Sequence, residues 1–219
     1  MENKLAIKLR KFNRICPITG YREGSIRIGA SVIVQTDRGD EFGTIVSFHK
    51  KYPADLNQDI RLKKVIRYAT EEDMKTVTNL DWLEDRARAI IIKKIKEHDL
   101  LMKIIDIEYL FDTRKVSIYY STNKAKQNQD LKPFRKDLSL TLNAELTMRS
   151  VTPRDEAKFL GGLGPCGRPL CCYKWLGKPR HVTVKIVKEQ GGQISPSKSS
   201  GMCGRLMCCF SYEGGESAA

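Results

Sequence analysis

Apolar residues alternate with others at the start of the chain: Leu5, Ile7 and Leu9 against Ala6, Lys8 and Arg10. A period of two marks a half-buried strand, so residues 4–16 are expected to be strand-like. Arg10, Lys11 and Arg14 then fall on a solvated face or within reach of phosphate. Cys16, just before Pro17, is expected to pack as a small buried residue. The segments 31–36 and 41–48 are rich in β-branched residues and flank Asp37-Arg38-Gly39-Asp40, which reads as a hairpin. Gly43, inside the second strand, points to a bulge or a close backbone approach. Curved short strands of this kind suit a small barrel-like sheet.

The period changes at Thr70. Met74, Val77, Leu80, Leu83, Ala87, Ile90, Ile91 and Ile95 recur every three or four residues. This predicts an amphipathic helix, or two abutting ones, running to about His98. Thr70 is placed to cap it, and Glu71, Glu72 and Asp73 suit its positive end. Lys93, Lys94 and Lys96 lie on its outer face, a candidate polyanion surface. A second hairpin follows at 101–110 and 115–121. Pro133 then opens a helix with Phe134, Leu138 and Leu142 facing inward, and a strand covers 144–151. Past Pro153 the periodic pattern stops, apart from a helix-like stretch near 183–189. The chain therefore reads as α+β in three regions: a β-rich part at 1–68 with a curved, barrel-like sheet, an α-β-β-α-β layer at 69–152, and an irregular Cys-rich part at 153–219.

That last region contains a near-repeat. Gly164-Pro165-Cys166-Gly167-Arg168-Pro169-Leu170-Cys171-Cys172 returns as Gly201-Met202-Cys203-Gly204-Arg205-Leu206-Met207-Cys208-Cys209, and six of the seven cysteines lie in the two copies. Each copy is C-x4-C-C, with a glycine after the first cysteine that permits a tight turn. Cys166, Cys171, Cys203 and Cys208 are the matched primary set, suited equally to tetrahedral zinc or to an iron–sulfur cluster. Cys172 and Cys209 bring the thiols to six, more than one zinc needs. The excess favours an iron–sulfur cluster or a site completed at a subunit interface. Arg168 and Arg205 occupy equivalent places, where a guanidinium would offset the negative charge of a thiolate-bound centre. A region so poor in core apolar residues draws stability from such a centre.

Composition excludes several classes. No apolar run is long enough to span a bilayer, and the charged N-terminus does not read as a signal peptide. A cytoplasmic location is expected, where clustered cysteines are more often metal ligands than disulfides. The net charge of +13 among 219 residues favours contact with polyanions such as RNA. Gly161-Gly162-Leu163-Gly164 lacks the Lys-Ser/Thr of a phosphate loop. His49, His98 and His181 show no metalloprotease spacing, and no catalytic residue is assigned.

The segment from Arg154 to Cys172, the segment from Ser200 to Cys209 with Tyr212-Glu213, and the weaker 36–43 and 69–73 together resemble the YaaT/RicT family of polymerase-suppressor C-terminal domain proteins. The resemblance spans roughly residues 25–213. It implies a non-enzymatic regulatory subunit whose complex carries [4Fe–4S] clusters. The implied partners are YlbF- and YmcA-like small helical proteins and the endoribonuclease RNase Y. The implied roles are mRNA maturation, sporulation, competence and biofilm formation. Besides this regulatory adaptor, a zinc-stabilised RNA- or ribosome-binding module and a redox enzyme using the paired cysteines remain open as readings of the residues.

Overall fold

The computed structural model describes residues 3–12, 14–18, 27–49, 62–122, 130–174, 176 and 180–213. The described residues up to 151 form one compact unit, and those from 152 onward form another.

The first unit holds two sheets. Strands β1 (Asn3–Leu9), β2 (Ile15–Pro17), β3 (Ser31–Thr36), β4 (Asp40–His49) and β5 (Leu62–Tyr68) make an antiparallel sheet in the order β2-β1-β4-β3-β5. It stays open, with β2 and β5 at its edges. Register shifts in the β3–β5 pairing at Ile33/Val34 and Gln35/Thr36 bend it in the manner of bulges. Ile7, Leu9, Cys16, Val32, Val34 and Ile45 form its core. Cys16 is buried, as its position before Pro17 led us to expect, and burial pushes its thiol up to about 11. Gly43 sits where β1 crosses close: a Cβ there would come within 2.3 Å of Ile7 Cγ2 and 3.1 Å of the Lys8 carbonyl oxygen.

The second sheet takes β6 (Met102–Tyr109), β7 (Lys115–Thr122) and β8 (Glu145–Ser150) in the order β6-β7-β8. β6 and β7 form the expected hairpin, whereas β8 runs parallel to β7. The crossover that a parallel pair requires is supplied by α2 (Lys132–Leu142). The helix from Thr70 is a single element, α1 (Glu71–Glu97). Thr70 Oγ1 accepts from the Asp73 N–H, and the Asp73 carboxylate accepts from the Thr70 N–H, closing a capping box. Leu80, Ala87 and Ile91 of α1 and Phe134 and Leu138 of α2 pack on Ile107, Val116, Ile118 and Leu146. The two helices and the sheet share this one core.

The basic residues near the N-terminus are neither solvated nor free for phosphate. Arg14 is buried and reaches both oxygens of Glu108, at 3.0 and 2.9 Å. Arg38 grips the same carboxylate at 2.7 and 3.1 Å, and Tyr119 donates to it at 2.9 Å. Arg38 also binds Glu41, which accepts from Thr36 Oγ1 at 2.7 Å. Beside this set, Arg10 pairs with Asp81 and Glu84, Lys11 with Glu84 and Asp106, and Arg88 with Asp106. Glu84 further accepts from the Tyr109 N–H at 2.9 Å. The partners of Arg10, Lys11 and Arg14, and Glu108 as a partner of Arg38, lie some 70 to 95 residues away, beyond what a local pattern of charge can show. Among the described residues no buried side-chain nitrogen or oxygen lacks a partner. These ion pairs tie the turn between β1 and β2 and the β3–β4 hairpin to α1 and β6.

Burial alone would raise the carboxyl of Glu108, but Arg14 and Arg38 outweigh it and hold it at about 2, below its ordinary 4.5. A depressed carboxylate stabilises the fold above its unfolded value, and the stabilisation is lost as pH falls through the folded one. Stability should therefore decline from about pH 4.5 towards pH 2. Glu108→Gln leaves two buried guanidinium groups without their shared counter-charge. It should cost about 3–5 kcal/mol and remove much of that acid dependence, as read from urea unfolding across this pH range. An unchanged midpoint would show that the network is energetically idle.

Candidate metal centre

The second unit consists of short helices: α3 (Pro153–Leu160), α4 (Cys171–Lys174), α5 (Val184–Glu189), α6 (Pro196–Ser199) and α7 (Cys209–Glu213). The stretch near 183–189 is helical as expected. α3 corrects the reading of residues after Pro153 as lacking regular elements. Its start is legible in Thr152-x-x-Asp155, where both capping-box bonds form, with Pro153 in the first turn.

The sequence repeat is a repeat of backbone geometry. In the first copy the Gly164 N–H donates to the Arg168 carbonyl (2.8 Å), the Gly167 N–H to Gly164 (3.0 Å) and the Leu170 N–H to Gly162 (3.0 Å). In the second, Gly201 donates to Arg205 (2.8 Å), Gly204 to Gly201 (2.9 Å) and Met207 to Ser199 (3.0 Å). The bridges Leu163–Pro169 and Ser200–Leu206 match as well. Gly167 and Gly204 both take a left-handed backbone, with φ of 73° and 71°, which side-chain-bearing residues adopt at a cost. Each knuckle ends in a short helix that begins at its adjacent cysteine pair, α4 at Cys171 and α7 at Cys209.

All six repeat cysteines, Cys166, Cys171, Cys172, Cys203, Cys208 and Cys209, line one cleft of about 70 Å³. Arg154 and Ala157 of α3, Pro165, Arg168, Pro169, Leu170, Met202, Leu206 and Met207 complete most of its wall. The lining holds no Asp, Glu or His among the described residues. Thiols and thioethers are soft donors. They suit zinc, copper(I) or iron–sulfur centres, and they do not suit calcium or magnesium, which require oxygen. Among the described residues, no three His, Cys, Asp or Glu side chains are already drawn into a metal-holding group. The thiols share a cleft without meeting at one point.

Electrostatics shows which thiols are neighbours. Burial pushes Cys208 up to about 11, with Cys171 and Cys172 adding to the shift. Burial also raises Cys172, next to Cys203 and Cys171, and raises Cys209, next to Glu213 and Cys171. Neighbours thus come from both knuckles. Cys172 is buried and Cys166 is exposed. Arg168 lines the cleft, while Arg205 is exposed and is not among the lining residues. What the two arginines share is the backbone carbonyl that closes each knuckle. The charge of Arg154 is felt at Cys208 and that of Lys158 at Cys172, lowering both thiols against the effect of burial. Both cations belong to α3, one helical turn apart, and the sequence pattern alone singled out neither as a neighbour of the thiols.

The cysteine knuckles belong to a chain that matches the models of PSP1-like proteins, and by its similarity to a relative of that kind it belongs to the YaaT family. The model of the PSP1 C-terminal conserved region matches residues 63–151, and that of the third domain of PSP1-like proteins matches residues 181–216. The chain is 38% identical over 218 residues to the stage 0 sporulation protein YaaT of Bacillus subtilis, covering 99% of this chain and 77% of that protein. It is also 24% identical over 156 residues to an uncharacterized protein of Schizosaccharomyces pombe, covering 58% of this chain and 20% of that one. No solved structure matches.

Gly167→Ala and Gly204→Ala test the knuckle geometry. A Cβ at either position meets nothing within 4 Å, so the cost is the left-handed backbone alone, about 1–2 kcal/mol each. The two variants should loosen residues 160–213 equally in limited proteolysis, with asparagine milder than alanine at both. A large effect at one position only would show that the knuckles are not equivalent.

Proposed function

We propose that this chain is a non-enzymatic regulatory subunit of a cytoplasmic complex, anchored by an iron–sulfur cluster held between its two cysteine knuckles. The observation that carries the reading is that all six repeat cysteines line one cleft whose wall holds two methionines and, among the described residues, no Asp, Glu or His. The similarity to a stage 0 sporulation protein, over 99% of this chain and 77% of that protein, supports a regulatory role in sporulation. The finer reading follows the family resemblance: YlbF- and YmcA-like helical partners, and modulation of mRNA processing by RNase Y. Among the described residues no helix is long and apolar enough to cross a membrane.

Cys166, Cys171, Cys203 and Cys208 would supply the primary thiolates, with Cys172 and Cys209 as further donors. Two knuckles rigid in themselves would move as bodies, so closing their thiols on one centre would fasten the two halves of the unit together. Arg154 and Lys158 would lie against the resulting negative charge, and Arg168 would border it. When bound, a [4Fe–4S] cluster would supply structural cross-linking and a one-electron couple. Cluster binding and folding would be linked, because each thiol must lose its proton and swing inward.

The test is anaerobic purification followed by iron and acid-labile sulfide analysis of the wild type and six Cys→Ser variants. Serine at Cys166, Cys171, Cys203 or Cys208 should lower cluster content and increase proteolysis of residues 160–213 together. Cys172→Ser and Cys209→Ser should be milder. Full metal retention without Cys166 and Cys203, with loss only in the Cys172 and Cys209 variants, would reverse the ligand assignment. Zinc without sulfide would instead identify a zinc-stabilised module that binds RNA or the ribosome.

A further inference from the structure

The net charge of +13 must be displayed somewhere, and ion pairing removes several obvious places. Arg10, Lys11, Arg14, Arg38 and Arg88 are committed to carboxylates within the first unit. On the outer face of α1, Lys93 and Lys94 both reach Glu97, at 3.9 and 3.0 Å, and Lys94 also binds Asp137 at 3.0 Å. That face, where a run of lysines suggested polyanion binding, is neutralised in part: of the three, Lys96 alone has no carboxylate partner among the described residues.

The outer face of α2 differs. Lys132, Arg135 and Lys136 are exposed and border one open groove of about 340 Å³ with Ser139 and Leu140. Among the described residues none of the three cations has a carboxylate partner. The acid of α2, Asp137, faces the other way, towards Lys94 and His98. Asp130, just before the helix, turns its carboxylate to the Lys132 N–H at 3.0 Å. That carboxylate offsets the positive end of the helix dipole, and no acidic residue occupies the first turn itself, so the three side chains carry the field of this face.

We propose that this face of α2 is a contact site for the phosphodiester backbone of single-stranded nucleic acid. Positions i, i+3 and i+4 stack the three cations within about 6 Å along the helix axis, which places them against successive charges of one strand. The groove is open, as a chain passing through it requires. Arg135 adds a planar guanidinium that binds phosphate through two N–H groups and stacks on bases. Leu140, 75% exposed beside the cations, offers apolar surface to a base. Charge with an adjoining apolar platform is how sequence-tolerant single-strand binders work. An all-acidic polypeptide such as polyglutamate is the competing ligand, and it has no ring to set against Leu140 or to stack on the Arg135 guanidinium. The site lies outside the cysteine region and stands whichever metal that region holds.

Fluorescence anisotropy of a labelled oligouridylate with the full chain, titrated at several salt concentrations, tests this. Two triple variants each remove three positive charges: K132A/R135A/K136A on α2 and K93A/K94A/K96A on α1. The α2 variant should weaken binding by about tenfold or more at low salt and flatten the log–log salt slope by about 2, from three lost phosphate contacts. The α1 variant should stay near the wild type. Should the α2 triple variant melt early, the single reversals Arg135→Glu and Lys136→Glu carry the same expectation. Equal weakening by both triples would show diffuse attraction to net charge and overturn the proposal. An unchanged slope in the α2 variants, or tighter binding of polyglutamate than of oligouridylate, would overturn it too.

Discussion

Six thiols can face one small apolar cleft only because each knuckle is closed by the same backbone device. A glycine in the left-handed region turns the chain after the first cysteine, and an arginine carbonyl accepts the N–H that shuts the loop. A short helix then begins at Cys171 in the first copy and at Cys209 in the second, and neighbouring side chains on such a backbone point in different directions. Two copies of a half-site would together make one site. The unit offers little apolar core beyond residues such as Val182 and Val187, so a centre shared by the knuckles would fix what side-chain packing leaves loose.

The first unit is held by different means. Its two sheets each have an apolar core, and a layer of buried ion pairs joins the elements between them. Glu108 is gripped by two guanidinium groups and a tyrosine hydroxyl, and Glu84 joins the turn after β1 to the end of β6. Such pairs add little net energy over well-packed apolar residues, yet they are costly to break singly. They also consume the basic residues that composition alone would offer to a polyanion. The cations left over on α2 are therefore a better guide to a binding surface than the total charge.

Much of this was legible in the sequence, for reasons that can be named. Periods of two and of three to four gave β1, the β3–β4 and β6–β7 hairpins and α1, Thr70 announced its own cap, and Gly43 announced a close approach. β5 was not foreseen, and the single strand expected over 4–16 turns back on itself as β1 and β2. The spacing of the cysteines located the cleft. Less accessible were features that depend on partners distant in the chain. Nothing near Arg14 points to Glu108, and nothing near β8 states that it pairs parallel to β7. The equivalence of Arg168 and Arg205 was visible, but it suggested a shared side-chain role, whereas the feature common to both is a backbone carbonyl. α3 could have been found from Thr152-x-x-Asp155, and with it the cations Arg154 and Lys158. The density of glycine and cysteine just beyond drew the reading towards irregular structure.

The central claim is that the two knuckles together bind one soft metal centre. Native mass spectrometry of the full chain, purified without oxygen, addresses it most directly. The account predicts a mass increase of four irons and four sulfides that disappears on acidification, together with protection of the knuckle cysteines from alkylation while the cluster is bound. A chain that carries neither metal nor sulfide, with all six knuckle thiols open to alkylation, would contradict it.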